Sequence, residues 1–451
     1  MHQLIHSNIF AFIAMPDVRQ WPIYVAAVAF VLGVLVFVHE FGHYAVAKLC
    51  GVRVEVFSLG FGKRLWGFRR GDTDYRISLL PLGGYVKMAG ENPLESRTGD
   101  PGEFTSHPRW QRFLIAIAGP SMNVILALVV LTGLYMFRHG YDLFTRAPVD
   151  VVWVTPDSPA AKAGLQKGDR IIKAQDVLHP TWAQFQTTEF INTNQPMELT
   201  VQRRDRTLDM TVVPEPKGPD GAGEIGLIHP EVVSTVEPGQ PAALAGVKEW
   251  DVLVSVDGSA VKSVQDLLAV LQKSPGKPVK LALLRDGKDV ELSVTPKILP
   301  GFSDNLYRIG LSAVRLEQLP FRAALATAFT DCKDNSMLIF KLVGKLFRRP
   351  AAIQQLSGPI GIMKVSGEAA KIGFPTLLYV MAMISLNLAV VNLLPIPILD
   401  GGLMLMLLIE GVMRRDIKLE IKERVYQAAF VFLLLFFAVV IFNDVFKSFR
   451  G

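Results

Sequence analysis

His39-Glu40-Phe41-Gly42-His43 carries the residue types of a hydrolytic metal site. In a helix, positions i and i+4 lie about 40° apart around the axis and about 6 Å along it, so His39 and His43 project from one face at a spacing that suits a single zinc ion. Glu40, beside the first imidazole, can reach a metal-bound water as general base. The segment sits inside an apolar run over residues 22–47. Ionisable groups at bilayer depth cost about 2.5–3.5 kcal/mol each, so three of them in one span need a compensating partner, and a divalent cation is one. A hydrogen-bonded packing cluster, or a proton path through a transporter, is the competing reading of the same residues.

A catalytic zinc takes a third protein ligand and keeps a fourth position for water. Asp400 is the only ionisable residue in the apolar window 376–409, in the segment Asn392-Leu393-Leu394-Pro395-Ile396-Pro397-Ile398-Leu399-Asp400-Gly401-Gly402. Two prolines must interrupt the helix before it and two glycines free the backbone after it; a broken helix at membrane depth is tolerated where protein or a wet cavity protects it. Asp400 could equally cap a helix resuming at Gly401.

The elements that must bring these residues together are membrane spans. The chain has 451 residues, half of them hydrophobic and a fifth charged, so apolar spans alternate with water-soluble parts. Four windows qualify: 22–47, 113–137, 376–409 and 425–442. Residues 1–21 lack a basic start and a small-residue cleavage site, which predicts a leader that stays attached. Lys48, Arg53, Lys63, Arg64, Arg69 and Arg70 lie within 48–112, between the first two spans, and Arg414, Arg415, Lys418, Lys422 and Arg424 between the last two. The positive-inside rule makes both loops cytoplasmic and both termini external. Basic residues before the third span pull the other way, and are read as the polar face of a surface helix. The net charge of +6 is accounted for by juxtamembrane residues facing anionic lipid, without the basic-aromatic interleaving of a nucleic-acid binder. Cys50 and Cys332 are the only cysteines, which excludes a disulfide framework.

Between the second and third spans the chain repeats itself. Pro159-Ala160-Ala161-Lys162-Ala163-Gly164-Leu165-Gln166-Lys167-Gly168-Asp169 returns as Pro241-Ala242-Ala243-Leu244-Ala245-Gly246-Val247-Lys248-Glu249-Trp250-Asp251, and Ile225-Gly226-Leu227 as Ile309-Gly310-Leu311. Two α+β modules follow, over 147–231 and 232–316. They resemble the PDZ domains of bacterial proteases, which bind an extended chain by adding it to a sheet edge. Peptide capture and simple size filtering both remain open for them. Trp250 in place of Gly168 predicts a different turn in the second copy.

Residues 52–59 and 75–88 read as strands separated by Gly-rich turns on the cytoplasmic side. In 317–375, Leu325, Phe329, Cys332, Ser336, Ile339, Val343 and Leu346 recur at helical spacing, which predicts one or two interfacial amphipathic helices.

Taken together, the His-Glu-x-x-His motif in the first span, the Asn-x-x-Pro-x-Pro-x-Leu-Asp-Gly segment in a later one and the paired modules between them resemble the site-2 protease family, in its bacterial form that regulates sigma-E. Gly119-Pro120-Ser121-Met122-Asn123 and Ser357-Gly358-Pro359-Ile360-Gly361-Ile362 also resemble family segments. The likeness covers nearly the whole chain apart from the leader. It implies an α-helical membrane protein with four transmembrane helices, a membrane-associated β element able to pair with substrate, and tandem α+β PDZ-like domains. It further implies Zn2+ held by His39, His43 and Asp400, Glu40 as catalytic base, and Asn392, with Pro395 and Pro397, in substrate binding. Asn123 would lie near the site, as a substrate contact or as interhelical glue. The implied location is a bacterial inner membrane with the modules in the periplasm. The implied substrates are single-pass membrane proteins already cut on the periplasmic side, such as an anti-sigma factor, and signal-peptide remnants. A non-catalytic scaffold predicts that Glu40→Gln changes nothing, and a transporter predicts ion flux without cleaved product.

Overall fold

The computed structural model describes residues 18–91, 99–137, 139–217, 222–261, 263–285, 288–299, 306–348 and 358–450. Most of the leader, and Ser357, fall outside them. The described residues divide into two compact units, one within 18–137 and 319–450 and the other within 139–318.

The first unit is mainly helical. Its helices are α1 (Trp21–Leu49), α2 (Arg109–Phe137), α3 (Phe321–Arg348), α4 (Pro359–Ile372), α5 (Phe374–Asn392), α6 (Asp400–Met413) and α7 (Leu419–Arg450). Four are long and apolar enough to cross a membrane: Trp21–Leu49, Arg109–Phe137, Phe374–Asn392 and Leu419–Phe442. The buried side of α1 is a single stripe through Tyr24, Ala27, Val31, Leu35, His39, Gly42, His43 and Ala47. Its three- and four-residue spacing carries both histidines on the face that packs against other helices. After α5 the chain turns through Leu393–Leu399 and re-enters helix at Asp400. Leu399 takes the N-cap position and makes no side-chain capping bond, so Asp400 is the first helical residue and its carboxylate is used elsewhere. A Cβ on Gly402 would stand 2.2 Å from the Ile396 carbonyl oxygen, so this turn folds too tightly onto α6 for any side chain there.

Strands β1 (Val54–Arg70) and β2 (Thr73–Met88) pair with each other. Phe57 is partnered by both Val86 and Tyr75, and Ile77 by both Leu59 and Trp66, so the ladder folds into four segments: 84–88, 54–59, 74–77 and 64–70. Gly60 and Gly62, with φ of 87° and 88°, supply the bend that lets β1 reverse within the sheet. Segment 64–70, read above only as a source of positive charge, is a strand whose Leu65, Trp66 and Phe68 are exposed. Exposure of nearly every residue leaves no alternation of buried and exposed positions by which the segment could be read as a strand.

α3 is one helix, and a row of mostly small side chains beside the apolar stripe packs it against the protein. Ala324, Ala328 and Cys332 are buried, whereas Leu325 and Phe329 point outward. Small residues let α3 approach α2 closely, where Tyr135 donates to Asp331 at 2.5 Å. Both cysteines are free.

The second unit contains the repeat. Its first half orders strands Val149–Asp150, Arg170–Ala174, Met197–Arg203 and Arg206–Val212 in one sheet, with a helix at Trp182–Ile191. The second half repeats the order with Glu231–Val232, Val252–Val256, Val279–Arg285 and Lys288–Val294, and a helix at Val264–Lys273. The helices start at Thr181 and Ser263, whose hydroxyls cap them. Each copy encloses its own apolar core, around Trp182 and Phe185 in the first and Leu267 and Leu271 in the second. The Ile-Gly-Leu echo lies at the strand that closes each copy: Leu227 pairs with Val154, and Leu311 with Val236. Asp169, fully buried, takes both nitrogens of Arg203 at 2.7 and 2.8 Å, and Asp251 takes Arg285 at 2.6 Å twice. The same guanidinium reaches Gly164 O in one copy and Gly246 O in the other. Such forked, desolvated pairs hold the turn before each buried strand. The turn expected to differ does not: Trp250 adopts φ 70° where Gly168 has 92°, and their N–H groups donate equivalently, to Val233 and Val151.

Glu189 in the first copy is buried and accepts from the Ile225 N–H at 3.2 Å. Burial pushes its carboxyl from an ordinary 4.5 up to about 8. The folded state therefore holds a proton that the unfolded chain releases. The stability it contributes is present in full below pH 4.5 and is lost as pH rises through about 8, a loss of a few kcal/mol. Glu189→Gln, which keeps the acceptor, should flatten that slope. Hydrogen exchange over 182–191 in the intact protein at pH 5 and pH 8 checks this, and equal slopes for the two proteins would contradict it.

Candidate metal centre

Two imidazoles from α1 and one carboxylate from the start of α6 meet at a point. The Nε2 atoms of His39 and His43 are 3.3 Å apart. Asp400 Oδ2 lies 3.3 Å from His39 Nε2, and Oδ1 lies 3.4 Å from His43 Nε2. Both histidines are buried, and the Asp400 side chain is 20% exposed, which leaves the group open on one side. Among the described residues this is the one His/Cys/Asp/Glu group gathered tightly enough to hold a metal ion.

The donor set fits zinc. Tetrahedral bonds of about 2.0–2.1 Å place neighbouring ligand atoms about 3.3–3.4 Å apart, which is the spacing of the two Nε2 atoms and of each Nε2 from its nearer Asp400 oxygen. His43 Nδ1 donates to the Ile115 carbonyl at 2.7 Å. In the neutral imidazole this leaves a lone pair on Nε2, and a positive charge, a proton or a metal ion, must then stand between it and the carboxylate.

The neighbouring side chains are set by α1, α2, α5 and β2. Glu40 follows His39 on α1 and accepts the Val86 N–H at 3.0 Å. Val86 belongs to segment 84–88, and its partner across the sheet is Phe57. Its N–H thus leaves the sheet on the side of α1, so this edge of the sheet faces Glu40. Gly84 makes the approach possible: a Cβ there would meet Ser58 O at 2.7 Å, Val36 Cγ1 at 3.3 Å and Glu40 Cγ at 3.7 Å. Asn392, the last residue of α5, brings its amide nitrogen within 3.4 Å of His39 Nε2. Asn123 on α2 is buried, with its amide 3.2 Å from His39 Nδ1. Pro395 and Pro397 lie in the turn before α6; Pro397 backs onto Gly402, and Pro395 is exposed. The structure thus gathers His39, His43, Asp400, Asn392 and Asn123, with Glu40 alongside, and gives the two prolines a part in shaping the turn.

Three contributors were not visible in the sequence. The Ile115 carbonyl and the Val86 N–H are main-chain groups, which no residue type announces. Gly119 lies against the imidazoles so closely that a Cβ would stand 2.3 Å from His43 Nε2 and 2.9 Å from His39 Cε1. The Gly119-Pro120 pair was noticed, but its steric reason was not. Farther along α6, Glu410 is buried and bonded to Lys422 at 2.6 Å and to the Ile417 N–H, which ties α6 to α7. Lys422, counted above as an orienting surface charge, is therefore partly a packing residue.

The model of peptidase family M50 matches residues 27–436. The chain is similar to the regulator of sigma-E protease RseP of Escherichia coli strain K12, with 33% identity across 92% of this chain and 96% of that protein. It is 31% identical to protease RseP of Yersinia pestis, across 93% of this chain and 97% of the relative. It is 32% identical to a candidate zinc metalloprotease of Neisseria meningitidis, across 93% and 98% respectively.

Proposed function

This chain belongs to peptidase family M50, and on that premise we propose that it is an endopeptidase that cuts the membrane-spanning segments of other proteins. It is a zinc metalloprotease with four helices able to span a membrane. The observation that carries the proposal is the convergence of His39, His43 and Asp400, one possible ligand atom from each within 4.8 Å of the others, on α1 and at the mouth of the broken α5–α6 segment.

His39, His43 and Asp400 would hold the zinc. The ion supplies Lewis-acid polarisation of a carbonyl and a water acidic enough to lose its proton near neutral pH. Glu40 takes the proton of the attacking water and returns it to the leaving amine, and the Val86 N–H fixes the carboxylate in place for both transfers. Asn392 reaches the same centre and holds the substrate backbone beside it. A substrate helix hides its peptide bonds in its own hydrogen-bond ladder and must unwind before attack. Segment 84–88 offers replacement bonds: its outer edge runs past Glu40, and an unwound stretch can add to it as a strand.

Substitution at Gly84 tests that geometry. Gly84→Ala should push segment 84–88 off α1 and lower turnover on the order of tenfold or more with zinc content unchanged, since an ångström of misplacement is that costly. Equal turnover would show that the edge does not position Glu40.

The sigma-E relatives and the positive-inside pattern support a finer assignment. The protein resides in a bacterial inner membrane with the duplicated modules and both termini in the periplasm. The modules, PDZ-like in their order of elements, screen substrates by size or by their trimmed ends. Substrates are single-pass membrane proteins after a first periplasmic cut, with an anti-sigma factor and signal-peptide remnants as candidates. Incubating purified protein with a model transmembrane peptide, with and without a zinc chelator, tests the reaction itself. Product that appears without chelator and is restored by added zinc is expected; no zinc-dependent product from several unrelated helices would contradict the proposal.

A further inference from the structure

We propose that Asn123 is a positioning residue for the metal: its side-chain oxygen Oδ1, rather than its nitrogen, faces His39 Nδ1 and keeps that imidazole protonated there, with Nε2 bare toward the ion. The inference rests on the zinc reading of the His39, His43 and Asp400 cluster. Asn123 is wholly buried on α2, and its amide lies 3.2 Å from His39 Nδ1. Its main-chain oxygen accepts from Ser385 Oγ at 2.8 Å, so α5 clamps the residue where it stands.

The two ends of an asparagine amide are equal in shape, and their assignment follows from what they bond. With Nδ2 toward His39, the nitrogen donates, Nδ1 must accept, and the ring proton moves to Nε2. That is the atom 3.3 Å from Asp400 Oδ2, where zinc requires a lone pair. The other end of the amide has no protein partner among the described residues, so a reversed orientation breaks no hydrogen bond on that side. Reversal makes the amide oxygen the acceptor for Nδ1–H, the outer partner that metal-binding imidazoles require.

His43 supplies the parallel case. Its Nδ1 already donates to a carbonyl of the same helix, Ile115 O, at 2.7 Å. Residues 115 and 123 lie two turns apart on one face of α2. One helix therefore offers an oxygen to each imidazole, from the backbone for His43 and from a side chain for His39.

Zinc affinity of the intact protein in detergent, measured by competition with a chromogenic chelator, tests this with Asn123→Ala and Asn123→Asp. Asn123→Ala should bind zinc about 10- to 100-fold more weakly. Asn123→Asp keeps the oxygen, removes the donor, and should recover affinity to within about threefold of the original. A second readout is the imidazole 15N spectrum of the zinc-free protein, where His39 should carry its proton on Nδ1 and lose that preference in Asn123→Ala. A purely structural Asn123 would leave the tautomer unmoved. Unchanged zinc binding by Asn123→Ala, or loss in Asn123→Asp as great as in Asn123→Ala, overturns this proposal alone. Absence of zinc binding by the unsubstituted protein overturns the metal reading and this proposal with it.

Discussion

Glu40→Gln is expected to lower cleavage of a transmembrane peptide by on the order of 10²–10⁴-fold while the protein keeps its zinc. The carboxylate lies outside the three-ligand cluster, so its loss leaves the metal-binding atoms where they are. Glutamine has nearly the same shape and can still accept the Val86 N–H, so segment 84–88 stays seated on α1. What disappears is the capacity to take up a proton and give it back. Turnover measured beside metal content per chain separates these effects. Undiminished turnover would mean that Glu40 is not the base, and zinc loss together with turnover would mean that it is a ligand.

Gly119→Ala should weaken zinc binding by on the order of 100-fold or more, although it adds a single uncharged methyl group. The new Cβ would stand 2.3 Å from His43 Nε2 and 2.6 Å from His43 Cε1, distances that real atoms do not tolerate. His43 has little room to yield, because its Nδ1 is bonded to Ile115 O on the same helix that carries the methyl. Either the ring abandons that bond or α1 and α2 separate, and both disperse ligand atoms now 3.3 Å apart. Gly133→Ala on α2 is the control, since a Cβ there meets nothing within 4 Å. It should leave zinc binding intact and add up to about 1 kcal/mol of helix stability. Equal zinc affinity for both variants would show that the crossing of α1 and α2 does not shape the centre.

Much of this centre was legible because its chemistry is expensive in its setting. Two histidines and a glutamate in an apolar run demand a partner, and the i, i+4 spacing states where the imidazoles point; the buried stripe of α1 bears this out. Asp400 stood out as the one ionisable residue of its window. The glycines after it were read as freeing the backbone, whereas the structure uses Gly402 for close approach to Ile396, a fact about a neighbour that the local sequence does not contain. The repeat was plain in residues 159–169 and 241–251, yet the turn at Trp250 was misjudged, because a bulky residue in the left-handed region is disfavoured locally and here follows the architecture of its twin.

Other features escaped for a common reason: each depends on the neighbour a segment packs or pairs with rather than on the segment's own residue types. Segment 64–70 is a strand only because 73–78 lies beside it. α3 turns Ala324 and Ala328 inward because α2 offers a surface that small residues can approach, and this outweighs the larger apolar side chains of Leu325 and Phe329. The oxygen of Ile115 and the N–H of Val86 belong to the backbone, and their value lies wholly in placement.

The most direct measurement is anomalous diffraction at the zinc edge from crystals of the intact protein. The account predicts one zinc peak within about 2.0–2.2 Å of His39 Nε2, His43 Nε2 and an Asp400 carboxylate oxygen, and no peak at that place in Asp400→Ala crystals. A zinc peak held by other residues, or an Asp400 turned away from an ion bound by the two histidines, would contradict it.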